Sequence, residues 1–251
     1  MMIIKNLTLS YSADKILLRN FSKELSAGSF IALVGRNGVG KSTLLRALAG
    51  VSRCAGGDVL YGEKSLYQMR NSELSRTIAL VTTEIVQSPN LKVEDVIEMG
   101  RAPYTNWSGS LDKEDKDIVN QAIETAGISY LRGKEIDRLS DGERQRVMIA
   151  RAIAQQTPVI LLDEPSAFLD LPNRYQIVML LAEIAQSEGK IIIFSTHDLQ
   201  VALRFASEIW IMTPKGITAG SPEMLRATSS FNLIFEDTAL KFNSITGEVE
   251  F

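Results

Sequence analysis

Apolar and polar positions alternate at the start of the chain. Leu7, Leu9 and Tyr11 are separated by polar residues, and residues 12–15 have the composition of a turn before the apolar stretch Ile16–Leu18. A period of two residues is typical of strands, and two such runs around a short turn are typical of a hairpin. The pattern therefore predicts antiparallel sheet near the N-terminus.

Short apolar runs then recur between stretches that have a helical period. Four of them have the length of buried strands: Phe30–Val34, Ile78–Val81, Pro158–Leu162 and Lys190–Thr196. Helices are predicted at Ser42–Ala49, which Gly50 would end, and at Pro172–Glu188. Strands that alternate with helices indicate a parallel sheet covered on both faces.

The middle of the chain is predominantly helical. Between about Glu84 and Gln155 the pattern predicts three helices, at Val93–Met99, Asp112–Ala126 and Arg144–Ala154. Asp112 is a suitable N-cap for the second of them, and Gly127 a suitable terminator. We therefore predict one domain over residues 1–251, in which a core of residues 1–83 and 156–251 is interrupted by a helical subdomain at residues 84–155.

Composition narrows the class of protein. The 251 residues are 45% hydrophobic with a net charge of −3, so charge does not favour a nucleic-acid partner. Cys54 is the single cysteine, and no apolar run approaches the roughly 18 residues that span a bilayer. Met1–Lys5 lacks the features of a secretory signal. We expect a cytosolic protein that reaches a membrane only through a partner.

The first motif with chemical meaning is GRNGVGKS at residues 35–42, which fits G-x-x-x-x-G-K-[ST]. In such a loop the glycines let backbone N–H groups face phosphate oxygens, Lys41 adds a positive charge, and the Ser42 hydroxyl can bind Mg²⁺. A glycine-rich turn is the alternative, but the strand before and the helix after favour a phosphate site. The predicted nucleotide contacts are Gly35, Asn37, Gly38, Gly40, Lys41, Ser42 and Thr43.

Two carboxylates follow a second apolar strand. Asp163 and Glu164 come directly after Val159–Leu162, and ligands bind at the carboxyl ends of the strands in open α/β sheets. Alone, this pair would be more typical of a solvated loop. Together with the loop at Lys41, it predicts that Asp163 holds Mg²⁺ and that Glu164 orients and polarises the attacking water.

A third motif makes the resemblance to a family specific. Leu139-Ser140-Asp141-Gly142-Glu143 resembles the signature motif of ABC ATPases, with Asp141 where glycine is commoner. Its plain structural interpretation is a capping box, in which Ser140 caps a helix and Glu143 reaches back. The resemblance implies that Ser140 and Gly142 contact the γ-phosphate bound by a second subunit. It therefore implies two ATP molecules between two head-to-tail copies.

Further residues match the family's pattern. His197, directly after the last predicted strand, resembles the switch histidine that contacts the γ-phosphate. Residues 166–170, which end at Asp170, resemble the loop through which the two subunits sense each other, and Tyr11 resembles the aromatic that stacks on adenine. A surface or packing role is the alternative for His197 and Tyr11. The implied catalytic residues are Lys41, Glu164 and His197.

One expected residue is missing. After the strand Ile78–Val81 the family normally carries a glutamine that touches Mg²⁺ and communicates with the transporter, but here the aligned residue is Thr83, followed by Glu84 and later Gln87. Our hypothesis is that Thr83 or Glu84 takes over part of this role, with Thr83 as a metal ligand.

The stretch from Val93 to Arg101, followed by Ala102-Pro103-Tyr104, resembles importer ATPases that serve iron–siderophore, haem and cobalamin permeases. The alternative is that Gly100 and Pro103 simply end a helix beside surface aromatics, Tyr104 and Trp107. Exposed aromatics at this position would also suit a docking surface for a partner helix.

The resemblance covers roughly Ile3 to Thr218 and implies an ABC-type P-loop NTPase of the α/β class with an inserted helical subdomain. It implies an ATPase that uses ATP and Mg²⁺ and powers uptake of an iron complex or cobalamin. The implied partners are a second copy, membrane permease subunits and, indirectly, an extracytoplasmic binding protein. The chain would lie on the inner face of the cell membrane. An exporter ATPase and a soluble ABC protein acting on ribosomes or DNA remain alternatives.

Overall fold

The computed structural model describes residues 1–12, 15–83, 90–105, 109–167, 169–236 and 238–250. For residues 11, 12 and 15 it describes only the backbone. Within these ranges no helix is long and apolar enough to cross a membrane. The strands are β1 (Met2–Ser12), β2 (Lys15–Leu25), β3 (Phe30–Val34), β4 (Gly56–Tyr61), β5 (Lys64–Ser65), β6 (Ile78–Val81), β7 (Val159–Leu162), β8 (Ile191–Thr196), β9 (Glu208–Thr213), β10 (Gly216–Gly220), β11 (Lys241–Phe242) and β12 (Val249–Glu250). The α-helices are α1 (Lys41–Leu48), α2 (Asn71–Thr77), α3 (Val93–Glu98), α4 (Lys113–Thr125), α5 (Asp141–Ala154), α6 (Leu171–Ser187), α7 (Leu199–Phe205) and α8 (Pro222–Ala227).

The central sheet has the strand order β10-β9-β3-β8-β7-β6, in which all neighbours are parallel except β9 and β10. The predicted parallel sheet is therefore confirmed. The four predicted strands are present as β3, β6, β7 and β8, with β7 and β8 beginning one residue later than predicted. Strands β9 and β10 extend the sheet beyond the prediction.

The N-terminal hairpin is confirmed as well. Strands β1 and β2 pair antiparallel, and β4 and β5 complete a four-stranded antiparallel sheet in the order β2-β1-β4-β5. Strands β4 and β5 were not predicted, because glycine and charged residues interrupt their apolar pattern.

Strand β3 shows why the sequences of the central strands are continuous apolar runs. Ile31 and Leu33 face a core shared with the antiparallel sheet and α1, whereas Phe30, Ala32 and Val34 face a second core shared with the helices. Because both faces of a parallel sheet are covered, every position of such a strand is buried.

The second core contains α6, α7 and α8 and also the three helices of the middle of the chain, α3, α4 and α5. The predicted positions of these last three are confirmed to within a few residues, and the Asp112 carboxylate caps α4 by accepting a hydrogen bond from the Asp115 backbone N–H at 2.8 Å. Gly127 follows α4 at a φ of 65°, the left-handed conformation in which helices commonly end. The subdomain boundaries at residues 84 and 155 stay predictions.

Arg101, just after α3, joins the start of α4 to the end of α5. Its side chain is buried, and its guanidinium donates to Asp115 Oδ1 at 2.8 Å, to the Ala154 carbonyl at 2.8 Å and to Gln156 Oε1 at 3.0 Å. The guanidinium also lies 4.0 Å from the centroid of the Tyr104 ring. A buried cation with this many partners is a structural anchor.

The same network corrects the interpretation of Tyr104 as an exposed docking aromatic. Tyr104 is half-buried, and its hydroxyl donates to the Gln155 carbonyl at 3.0 Å. The guanidinium groups of Arg76 and Arg101 lie 5.1 Å and 4.0 Å from the centroid of its ring. Trp107 lies outside the described residues. The tyrosine therefore serves internal packing, because the fold brings Arg76 from α2 onto a ring that the neighbouring Arg101 already contacts.

Replacing Arg101 by methionine should lower the free energy of unfolding by about 3–5 kcal/mol, because it leaves the buried Asp115 carboxylate without its cation. Urea denaturation of the full chain measures this. Arg138→Met is the matched control: it breaks the exposed Arg138–Glu135 pair, whose loss should cost about 1 kcal/mol or less. Equal losses in the two variants would contradict the anchoring role.

The segment after Ser221 has a structural role that was not predicted from the sequence. Phe231 is fully buried in the second core and packs on Phe242, with 4.7 Å between ring centroids. Arg36, in the glycine-rich loop, donates to the Glu236 carbonyl at 3.3 Å. The tail therefore covers the core and contacts the loop that follows β3.

Candidate functional site

The glycine-rich loop joins β3 to α1, as its motif predicts. A side chain at Gly35 would clash with the carbonyl oxygen of Met212 on the neighbouring strand β9. Gly40, the N-cap of α1, has a φ of 112°, a conformation that residues with a side chain rarely adopt. These two positions need glycine, one for close approach of two backbones and the other for the turn into the helix.

Lys41 is the first residue of α1, and its side chain turns back into the loop. It is 6% exposed, and its ammonium donates to the Gly35 carbonyl at 2.9 Å and the Arg36 carbonyl at 3.3 Å. Burial lowers the pKa of this ammonium, and the Glu164 and Asp163 carboxylates oppose the shift. The structure therefore holds a cation within the loop, close to two carboxylates.

A cavity of about 420 Å³ lies over the loop. It brings together most of the predicted nucleotide contacts in the loop with the predicted catalytic carboxylate. It is lined by Leu17, Asn37, Gly38, Gly40, Lys41, Ser42, Thr43 and Glu164. Leu17 was not predicted, because an apolar residue on a hairpin strand gives no sequence signal that it borders a cavity.

Asp163 and Glu164 lie at the carboxyl end of β7, as predicted. Asp163 is buried, and its backbone N–H donates to the Val81 carbonyl at 2.8 Å, which holds it beside the end of β6. Sequence reasoning missed Ser195 on β8, whose hydroxyl donates to Asp163 Oδ1 at 2.6 Å and accepts from the Glu164 backbone N–H at 2.8 Å. Ser195 lies two residues before the predicted His197, but a serine inside an apolar strand does not stand out in the sequence.

Glu164 lies between the other two predicted catalytic residues. Its Oε1 is 3.9 Å from Lys41 Nζ, and its Oε2 is 3.5 Å from Nδ1 of His197. Its backbone has a φ of 46°, a left-handed conformation that costs a non-glycine residue about 1–3 kcal/mol. The fold thus keeps a strained backbone at the residue that carries the predicted base.

A second cavity, of about 460 Å³, lies at the N-terminus of α5. It brings together Ser140 and Gly142 of the signature segment with Asp170, and it shares no lining residue with the first cavity. Ser140 and Glu143 form the predicted capping box: Ser140 Oγ accepts from the Glu143 N–H, and Glu143 accepts from the Ser140 N–H at 2.9 Å. That backbone hydrogen bond lowers the pKa of Glu143.

Arg174 links the loop at Asp170 to the loop at His197. Its guanidinium pairs with Asp198 at 2.8 Å and donates to the Leu169 carbonyl at 3.4 Å. Asp198 caps α7 directly after His197, and Asp170 caps α6 by accepting from the Asn173 N–H. Two loops that the sequence predicted separately are therefore joined by one arginine.

The remaining predicted residues are less fully described. Thr83 is exposed and lies two residues after the end of β6, the strand beside β7. Glu84, Gln87 and Phe168 lie outside the described residues, as does the side chain of Tyr11. The structure therefore leaves the metal role of Thr83 and the adenine contact of Tyr11 as predictions.

The first cavity fits an anionic ligand with a bound hard cation. The N-terminus of α1 and the Lys41 ammonium favour negative charge, and the Ser42 hydroxyl is an oxygen donor that suits Mg²⁺. The Asp163 carboxylate, at the end of β7 next to Glu164 and outside the residues that line the cavity, is a second such donor. Among the described residues no three His, Cys, Asp or Glu side chains cluster as a metal site.

Comparison with known proteins identifies the class. Residues 18–167 match the ABC transporter family, and the chain belongs to this family. An uncharacterized ABC transporter ATP-binding protein of Methanocaldococcus jannaschii is 32% identical over 100% of this chain and 86% of its own length. The petrobactin import ATP-binding protein FpuD of Bacillus anthracis is 34% identical over 87% of this chain and 80% of its own. The iron(3+)-hydroxamate import ATP-binding protein FhuC of Bacillus subtilis is 33% identical over 81% and 75%.

Solved structures agree with this assignment. An inward-facing ABC transporter assigned to the metal-chelate type aligns with a TM-score of 0.82 and 29% identity over 93% of this chain and 88% of the other. A dimeric ATP-binding cassette in a post-hydrolysis state, bound to ADP and phosphate, aligns with a TM-score of 0.77 and 26% identity over 88% and 99%. The predicted ABC-type fold and the predicted ATP-binding ATPase are both confirmed.

Proposed function

We propose that this chain is the ATPase subunit of an importer and powers uptake of an iron complex through a separate membrane permease. The observation that carries the ATPase part is the group Lys41–Glu164–His197 at the mouth of the glycine-rich loop. A cation that binds phosphate, a carboxylate that polarises water and a histidine in contact with that carboxylate are the groups that phosphoryl transfer to water requires.

The residues in and beside the first cavity have distinct roles in the proposed reaction. Lys41 neutralises charge on the β- and γ-phosphates of ATP, and the loop N–H groups orient them. Ser42 and Asp163 would hold Mg²⁺, which when bound neutralises charge that develops on the phosphate oxygens. Glu164 accepts the proton of the attacking water, and His197 keeps the Glu164 side chain in place.

Two copies are needed to complete the site. Ser140, Gly142 and Asp170 line a cavity of their own, so one chain offers its signature segment to a ligand held by another. The solved post-hydrolysis cassette that this chain resembles is dimeric. Closure of two head-to-tail copies would assemble the groups around the γ-phosphate, and hydrolysis would let them separate.

The importer assignment rests on the relatives. The Bacillus relatives carry names for petrobactin import and iron(3+)-hydroxamate import, and the inward-facing transporter structure that aligns with this chain is assigned to the metal-chelate type. We therefore place the chain at the inner face of a membrane, attached through the permease, with cobalamin as the next substrate class after iron complexes. Thr83 would be the point at which the permease senses Mg²⁺-bound ATP.

Purification of the intact membrane complex tests this function. We expect the full chain to co-purify with a permease of many membrane helices, and its ATP hydrolysis to rise when a binding protein loaded with a ferric chelate is added. Stimulation by substrate without any binding protein would indicate an exporter. Absence of a permease, together with binding to nucleic acid at moderate salt, would indicate a soluble ABC protein instead.

A further inference from the structure

Ser195 connects the two acidic residues of the site, Asp163 and Glu164, by hydrogen bonds. It lies on β8, is fully buried, and makes both of its hydrogen bonds to residues of the neighbouring strand end. Its hydroxyl donates to Asp163 Oδ1 at 2.6 Å and accepts from the Glu164 backbone N–H at 2.8 Å. A single hydroxyl can serve both partners because it is donor and acceptor at once.

The first hydrogen bond orients Asp163. A donor on Oδ1 fixes the rotation of the carboxylate and leaves Oδ2 as the oxygen available to a cation. Metal-binding carboxylates are commonly held by such a hydrogen bond from a neighbouring group, and its loss weakens metal binding without removing a ligand.

The second hydrogen bond holds Glu164. The left-handed backbone at this residue, with a φ of 46°, persists only where the surroundings favour it. The Ser195 oxygen gives the Glu164 N–H its partner in that conformation. The conformation in turn sets where the side chain leaves the backbone, between Lys41 and His197.

A second buried hydroxyl shows that burial alone does not produce this arrangement. Thr157 is also fully buried, but its hydroxyl donates to the Val159 carbonyl two residues away, at the opposite end of β7 from the site. That contact closes a local turn. The contacts of Ser195, by comparison, cross between strands and end on two functional residues.

We propose that Ser195 is a positioning residue for ATP hydrolysis. It orients the Asp163 carboxylate so that it can bind Mg²⁺, and it holds the Glu164 backbone so that the Glu164 side chain can activate water. This inference rests on the proposed function. It adds a group that the family resemblance did not indicate, and it explains how one strand controls both the metal side and the water side of the site.

Ser195→Ala in the full chain, assayed with its permease, tests the proposal. We expect kcat to fall about 10- to 100-fold, because a displacement of about 1 Å at a catalytic group has effects of this size. The Kd for ATP without Mg²⁺ should be unchanged, and a Mg²⁺ titration of ATP binding should show weaker Mg²⁺ affinity. Ser195→Thr, which retains the hydroxyl, should recover most of kcat.

Thr157→Val is the matched control, since it removes a buried hydroxyl away from the site. It should keep wild-type kcat and Mg²⁺ affinity. Wild-type kcat and Mg²⁺ affinity in Ser195→Ala would overturn the proposal, as would an equal loss in Thr157→Val. If the wild-type chain binds Mg²⁺ and ATP but does not hydrolyse ATP, the proposed function fails, and the Mg²⁺ titration alone still decides the role of Ser195.

Discussion

Replacing Glu164 by glutamine should reduce ATP hydrolysis about 100- to 10,000-fold and leave ATP binding intact. An amide cannot accept the proton of the attacking water, and loss of a general base typically costs this much. The side chain keeps its shape, and loss of its negative charge removes a repulsion from the γ-phosphate. The ATP-bound dimer should therefore accumulate, which size-exclusion chromatography with and without ATP would detect alongside a phosphate-release assay.

Glu183→Gln provides the control for the change of charge. Glu183 is exposed on α6 and lines neither cavity, so its variant should hydrolyse ATP like the wild type. A Glu164→Gln chain that remains monomeric in ATP and turns over normally would refute both the role of Glu164 and the two-copy site.

Lys41→Met should weaken ATP binding at least about 100-fold. The ammonium is expected to make charge-assisted hydrogen bonds to two phosphates, each worth about 1.5–3 kcal/mol, and 1.4 kcal/mol corresponds to a tenfold change in Kd. Methionine fills much of the same buried space, so the loss should reflect the missing charge. Titration of the full chain with a fluorescent ATP analogue measures the Kd.

Lys190→Met is the matched control for removal of a buried lysine. Lys190 is 8% exposed, and its ammonium donates to the Thr157 carbonyl at 2.9 Å, next to the start of β7 and away from both cavities. This variant should lose stability but bind ATP normally. An equally weakened Kd in Lys190→Met would mean that Lys41 acts through stability and not by contact with phosphate.

The parts of the site that could be predicted are those formed by residues that are neighbours in the sequence. The strand, loop and helix around Lys41 follow from a local pattern, because the glycines, the apolar run and the helix start are all neighbours in sequence. Asp163, Glu164 and the capping box at Ser140 could be predicted for the same reason. Strands β4 and β5 were missed because glycine and charged residues interrupt their apolar pattern, and β9, which joins the central sheet beside the distant β3, was missed together with its hairpin partner β10.

The interpretation of Tyr104 shows where sequence reasoning failed. An aromatic beside a glycine and a proline suggests an exposed surface, but in the described structure the ring is half-buried and contacts both Arg76 and Arg101. Arg101 is a neighbour of Tyr104 in sequence, but Arg76 lies far earlier in the chain, on α2. No local pattern contains the contact with Arg76, because it depends on which elements pack together.

The sequence by itself determined the class of the fold, the phosphate-binding loop and the identity of the acidic pair, because these depend on local backbone geometry and on side-chain chemistry. Only the tertiary structure decided that Ser195 joins Asp163 to Glu164, that Arg174 links two loops, and that the signature segment faces a cavity separate from the glycine-rich loop. The physical reason is that hydrogen bonds act over about 3 Å, and the packing of distant strands decides which groups come that close.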